Sequence, residues 1–296
     1  RTKVYDRDTM LPGCHVIGPA IVKEPIATTV LEPGWGATVN SRNQLVLSRI
    51  TPRATQTSVG TEADPVMLEV FNNLFMSIAE QMGVILRNTS YSVNIKERLD
   101  FSCAVFGPDG SLVANAPHIP VHLGSMSESV KTVAEQRRGT IVPGDVFMLN
   151  TPYNGGTHLP DVTVITPVFD ESGNNILFYV ASRGHHAEIG GATPGSVPPN
   201  STHIDEEGVL IDNFQLVAGG RLLETETENL FTSAPFPTRN FRHNLADLKA
   251  QIAGNEKGVQ ELRKMIKHFG LDVVHAYMMH VQDNAEECVR RVLGVL

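Results

Sequence analysis

Cysteine is scarce in this chain: three in 296 residues (Cys14, Cys103, Cys288), scattered and without a CxxC partner. That argues against a disulfide framework and for a reducing compartment, taken as the cytoplasm. Each thiol sits in an apolar context, so a structural role is favoured over a nucleophilic one, which needs electropositive surroundings. Basic charge is also short, with 24 Lys+Arg against 32 Asp+Glu, a net charge of −8 and no basic stripe. Nucleic acid is therefore not an expected partner. No apolar run approaches the roughly 18 residues of a membrane span, and no signal peptide opens the chain, so no membrane partner is expected either. There is no internal repeat and no Gly-rich loop followed by Lys-Ser/Thr, so no nucleotide site is visible.

What is present is a globular composition, 41% hydrophobic, over a length that suits one large or two ordinary domains. Residues 1–50 alternate apolar and polar with Pro or Gly every few positions (Leu11-Pro-Gly, Gly18-Pro-Ala-Ile-Val, Glu32-Pro-Gly-Trp-Gly), the pattern of a small β module. Residues 51–61 are polar and read as a linker. Asp64-Pro65 then supplies an N-cap and first-turn proline for a helix with Met67, Val70, Phe71, Leu74, Ile78, Met82 and Ile85 on its apolar face. The expected fold class is α+β: a small N-terminal β module followed by a larger α+β domain from residue 62 onward. Phe101–Phe106 and Leu112–Asn115 flank the turn Gly107-Pro-Asp-Gly110 as a hairpin, Ser125–Arg138 reads as an amphipathic helix and Val146–Leu149 as a strand. From about Asn244 a helical stripe runs to Gly270, and Asp272 is the expected cap of a last helix bearing Val273, Tyr277, Val281, Ala285 and Cys288. The chain opens at Arg1 and stops at Leu296 within a helical pattern, as expected of a fragment of something longer.

The densest chemistry lies between Asn150 and Gly191. His158 and Asp161 precede an apolar run, Val162–Phe169; His185 and His186 follow a second, Ile176–Ala181; the turn formers Asp170–Asn175 lie between. An antiparallel hairpin closed by that turn sets Asp161 opposite about Gly184 and brings His158, Asp161 and His185 to one end. Two imidazoles and a carboxylate suit a divalent Zn, Mn or Fe ion. The competing reading is a histidine-rich turn that merely ends a hairpin.

Other groups carry two readings each. His118 and His122 are four apart, but Pro117 and Pro120 argue against a helical pair. In an extended segment they share a side, so His122 is a fourth candidate ligand, against a packed histidine. Lys96-Glu-Arg-Leu-Asp100 is a solvated turn or carries a substrate-contacting carboxylate. Arg239 and Arg242 precede a helix start and, with Arg183, are candidate substrate-binding cations, against a plain charged first turn.

Several of these segments, Asn150–Asp161 (NTPYNGGTHLPD), Ala181–His186 (ASRGHH), Ile189–Gly195 (IGGATPG), His118–Met126 and Asn244–Gln251, resemble the hydantoinase B half of the hydantoinase/oxoprolinase family. Val4–Arg7, Gly18–Val22 and Pro33–Gly36 are similar to the end of the hydantoinase A half. On that resemblance, residues 1–50 are the last β module of an A-like half, 51–61 a linker, and 62–296 the first part of a B-like domain. It implies an ATP-dependent cyclic amide hydrolase, inactive as this fragment alone, and in the fused A–B order one that opens 5-oxo-L-proline to L-glutamate. It further implies a small cyclic amide substrate, ATP with Mg held by an A-like half of the same polypeptide, a homo-oligomer, and a divalent metal on His158, Asp161 and His185. His186 or Glu188 would orient or deprotonate a metal-bound water. The alternatives are an N-methylhydantoin-type hydrolase, a related ATP-dependent carboxylase, or a metal-stabilised structural or assembly module.

Overall fold

Proline and glycine punctuate the first fifty residues, and the strands between them run to three to five residues. The computed structural model describes residues 2–51, 59–195 and 198–294, in two compact units, residues 1–59 and 60–296. Residues 52–58 of the expected linker lie outside the described residues. The first unit consists of β1 (Lys3–Asp6), β2 (His15–Ile17), β3 (Ala20–Lys23), β4 (Thr28–Leu31), β5 (Trp35–Val39) and β6 (Leu45–Arg49). These pair as two three-stranded sheets, β1-β3-β4 and β2-β5-β6, around Met10, Val16, Ala20, Val22, Leu31, Ala37 and Val39.

The second unit runs α1 (Pro65–Thr89), α2 (Val93–Lys96), β7 (Phe101–Phe106), β8 (Leu112–Asn115), α3 (Pro120–Gln136), β9 (Val146–Leu149), β10 (Asp161–Phe169), β11 (Ile176–His185), β12 (Phe214–Ala218), β13 (Arg221–Leu222), α4 (Glu224–Thr232), α5 (Phe241–Phe269) and α6 (Leu271–Leu293). Its seven strands form one antiparallel sheet in the order β13-β12-β9-β10-β11-β7-β8. The fold class is α+β.

Strand alternation sorts the side chains onto two faces. Ala104, Phe106, Phe147, Leu149, Ile165, Tyr179 and Ala181 pack against Met126, Val130 and Val133 of α3. Val146, Met148, Val162 and Val164 pack on the opposite side against Phe231 of α4 and Leu248 of α5. Above that side α1 crosses α5 where Gly254 and Gly258 lie against Met82. Phe71 stacks on Tyr277 of α6 at 4.3 Å between centroids and lies 4.8 Å from Phe269.

Three local expectations shift. Asp64 caps α1, accepting from the Met67 N–H at 2.8 Å. The buried stripe, however, is Phe71, Phe75, Ile78, Ala79, Met82, Gly83 and Leu86, and Val70 and Leu74 are exposed. Burying the two phenylalanine rings turns the helix away from the smaller aliphatic stripe, because an aromatic ring buries more apolar area. Helix α3 begins at Pro120, five residues before the expected start, because a proline at the first helical position has no N–H to lose and its fixed φ suits the turn. Asp272 lies inside the first turn of α6 rather than at its cap, since Gly270 (φ +90°) both ends α5 and opens α6, and Cys288 is exposed.

Replacing Phe71 with alanine should cost about 3–5 kcal/mol of stability, and replacing Asp64 with alanine only about 1 kcal/mol. Urea denaturation of both variants measures this. Equal losses would mean that the Phe71–Tyr277–Phe269 contact does not hold the three helices together.

Candidate metal centre

The turn ahead of β10 is closed from inside. Buried Asn150 donates to the carbonyls of Leu159 and Val209, both at 2.8 Å, and accepts from the Ile211 N–H at 2.7 Å. Gly155 has φ +88°, and a Cβ there would come within 2.3 Å of the Ser129 nitrogen. A Cβ on Gly156 would meet the Asn150 carbonyl at 2.0 Å. No other residue fits this approach, and the turn folds Thr157 and His158 back onto Asp161.

Asp161 and His185 are direct cross-strand partners in the β10–β11 ladder. The sequence expectation, Asp161 opposite Gly184, is displaced by one residue. Counting from Phe169↔Ile176 gives that register, but Leu177 is an extra residue: Val168 pairs with Phe178, and everything beyond shifts by one. The shift matters because it puts Asp161, Thr163, Arg183 and His185 together on the α3 face.

The carboxylate of Asp161 is the hub. His158 Nδ1 lies 2.8 Å from Oδ2, His185 Nδ1 2.9 Å from Oδ1, Thr157 Oγ1 2.5 Å from Oδ2 and His122 Nε2 3.5 Å from Oδ2. The His158, Asp161 and His185 ligand atoms fall within 4.8 Å of one another. Burial alone would raise the Asp161 pKa, but hydrogen bonds from His122, His158, His185 and Thr157 outweigh it and hold the group well below the usual carboxylate range. The Asp161 hydrogen bond likewise raises the His158 pKa, against the opposing effect of burial. His122 enters from the first turn of α3, its Nδ1 3.3 Å from Ser102 Oγ. His118 does not reach the cluster. It faces the other side of the sheet against Phe101, its Nδ1 accepting from the Cys103 N–H at 3.1 Å, and burial followed by the His122 charge pushes its pKa down to about 4.

A cavity of about 610 Å³ opens over the cluster, lined by Arg98, Asp100, Ile119, Val121, His122, Thr157, His158, Asp161 and His185. Asp100 lies 3.8 Å from His122 Nε2 and 3.9 Å from His185 Nδ1, with its side chain 35% exposed. Asp100 and Arg98 come from the charged turn Lys96–Asp100, for which a solvated turn and a substrate-contacting carboxylate are the two sequence readings; the structure puts both side chains in the cavity lining. The signal between them is Leu99, held at φ +58°, which only a three-dimensional description reveals.

Residues 64–296 match the family model described as hydantoinase B/oxoprolinase. The chain belongs to that family. A 5-oxoprolinase of Dictyostelium discoideum is 49% identical over 292 residues, 99% of this chain and 22% of the relative. 5-Oxoprolinase 1 of Arabidopsis thaliana is 45% identical over 99% of this chain and 24% of its own length. The chain thus spans about a quarter of the length of these 5-oxoprolinases. Among solved structures, the ATP-dependent caprolactamase from Pseudomonas jessenii superposes with a TM-score of 0.70 at 29% identity, covering 78% of this chain and 39% of that one.

For this hydantoinase B-type unit, five of the expected functional residues are placed away from the cavity. His186 projects to the α5 side and is fully buried. Its Nε2–H donates to Gln251 Oε1 at 3.1 Å and its Nδ1 accepts from Asn244 at 3.2 Å, so neither nitrogen is available for catalysis. Burial pushes its pKa down, and it stays neutral. Glu188 accepts from Thr238 Oγ1, the Arg239 N–H and the Gly190 N–H, and pairs with the Arg239 guanidinium at 3.0 Å. Glu188 and Arg239 therefore satisfy each other rather than a substrate. Arg242 is exposed on the first turn of α5, outside the cavity lining. Arg183 is fully buried and cannot touch a substrate. Its guanidinium donates to Thr163 Oγ1 (2.7 Å), Ser125 Oγ (2.5 Å), the His122 carbonyl (3.3 Å), Ser129 Oγ (2.9 Å) and the Gly155 carbonyl (2.7 Å).

Arg183→Met should remove those bonds and strand several buried acceptors, each worth about 1–3 kcal/mol, so the chain should lose at least about 3 kcal/mol. Arg183→Lys, which has three donors, should recover only part of it. Chemical denaturation tests this, and unchanged stability of Arg183→Met would remove Arg183 from the role of anchor.

Proposed function

We propose that this chain is the metal-holding, lactam-binding part of an ATP-dependent 5-oxoprolinase, which opens 5-oxo-L-proline to L-glutamate. The observation that carries this reading is the convergence of three imidazoles on one buried carboxylate beneath an open cavity, in a chain 44–49% identical to curated 5-oxoprolinases over nearly its whole length. The donor set fits a divalent zinc, manganese or iron ion: His158, Asp161 and His185 would hold it, with His122 beside them. Once bound, such an ion polarises a carbonyl oxygen or lowers the pKa of a coordinated water towards about 7.

The chain's own groups supply the rest. Thr157 fixes one oxygen of Asp161, and Ser102 fixes His122, so the imidazoles are held before any ligand arrives. Asp100, partly exposed and within 4 Å of two imidazoles, is the carboxylate in position to take a proton from a water in the cavity, the role expected of His186 or Glu188. An unstrained lactam resists hydrolysis, so ATP, with Mg in a hydantoinase A-like half of the same polypeptide, activates the ring oxygen. Residues 1–50 would be the end of that half, the parent a cytoplasmic homo-oligomer. A cyclic amide hydrolase acting on a neutral ring is the second reading, favoured by the caprolactamase likeness.

In the full-length enzyme, alanine at His158, Asp161 or His185 should abolish stoichiometric metal by elemental analysis, whereas His186→Gln should retain it. His158→Ala should suppress glutamate formation at least tenfold more than substrate-independent ATP hydrolysis, with glutamate and phosphate followed together. Full metal occupancy in all three alanine variants, or glutamate release without ATP, would remove the assignment.

A further inference from the structure

The turn between α2 and β7 puts one cation at the mouth of the cavity. Its backbone is pinned on both sides: the Arg98 N–H donates to the Val93 carbonyl at 3.1 Å, the Asp100 N–H to the Asn94 carbonyl at 2.9 Å, and the Asp100 carbonyl accepts from the His185 N–H at 3.0 Å. Leu99 sits between them at φ +58°, a conformation that a branched side chain adopts only when its surroundings force it. The result is that Arg98 and Asp100 both line the same cavity. Among the described residues the Arg98 guanidinium has no side-chain hydrogen bond or ion pair, although the side chain is solvated. It is the one Lys or Arg among the nine lining residues, which include two carboxylates, Asp100 and Asp161. Ile119 and the largely exposed Val121 add an apolar wall.

An anion entering a cavity that holds two carboxylates meets repulsion, which the proposed metal ion would offset at Asp161 and Arg98 at Asp100, two positions along the same turn. A guanidinium offers two parallel N–H donors that match the two oxygens of a carboxylate, whereas a neutral lactam offers only an uncharged carbonyl oxygen and a weaker bond. The ring methylenes of a small lactam would lie on Ile119 and Val121, leaving its carbonyl towards the imidazole cluster. We propose that Arg98 recognises the ring carboxylate of the substrate and so sets the preference of this site for acidic lactams over neutral ones. This rests on the lactam-opening function proposed above and adds its specificity-determining residue.

The test uses the full-length enzyme with ATP and compares 5-oxo-L-proline with its neutral carboxamide, 5-oxo-L-prolinamide, following ring opening. Wild type should prefer the acid. Arg98→Ala should lower the acid-to-amide ratio of kcat/KM about tenfold or more, chiefly through a raised KM for the acid, because a charge-assisted hydrogen bond to a carboxylate is lost. Arg98→Glu should lower the ratio further, and Arg98→Lys should fall between alanine and wild type. Circular dichroism and metal content should match wild type, since the guanidinium supports no other side chain. A ratio within threefold of wild type in both Arg98→Ala and Arg98→Glu overturns the assignment of Arg98. A wild-type enzyme with no preference for the acid overturns the substrate reading as well, so the two failures are distinct.

Discussion

Five hydrogen bonds leave the Arg183 guanidinium, and together they join every segment that carries a candidate ligand: β10 through Thr163, α3 through His122, Ser125 and Ser129, and the glycine turn through Gly155. A guanidinium has five N–H donors, and all are used. That completeness is what makes the burial tolerable, because an unsatisfied buried charge is among the costliest features a fold can carry. Burial lowers the Arg183 pKa to about 10, with the Asp161 charge opposing the shift, so the group remains a cation at neutral pH. Asp161, its anionic counterpart on the same face, can therefore stay ionised among three imidazoles. The geometry of the cluster follows from this central cation as much as from the strands.

Much of the architecture was legible because it rests on local rules. Asp64-Pro65 announces a helix start, Gly107–Gly110 a hairpin, and Gly270 a helix end, and each appears where expected. The convergence of His158, Asp161 and His185 was legible too, since a hairpin with a recognisable turn brings its two open ends together whatever the detailed register. The strands β12 and β13 and the nine-residue α4 were not, being too short to display a period.

What escaped the sequence were properties of the third dimension. His185 and His186 are adjacent in the chain yet belong to opposite faces of the sheet, one bound to Asp161 and the other to Gln251 and Asn244 of α5. Nothing in the residues themselves says which is which; register decides. Arg183 stands among the candidate substrate-binding cations, and only its enclosure reveals a structural one. Glu188 and Arg239 are 51 positions apart and neutralise each other, a pairing no local pattern encodes. Pro120, with Pro117, argues against a helix around His118 and His122, whereas at the first helical position it is a helix opener and carries His122 into the cluster.

The bulge at Leu177 has an evolutionary reach. Its carbonyl, released from the ladder, is taken up by His275 of α6 at 3.2 Å, so the surplus residue is accommodated rather than left as a defect. A descendant lacking that one residue would pair Phe169 and Val168 with consecutive positions and keep His185 facing Asp161. One that gained or lost a residue between 178 and 185 would deliver Gly184 or His186 there instead and draw the guanidinium off its face. The hairpin thus divides into a tip where chain length is free to drift and a stem where it is not.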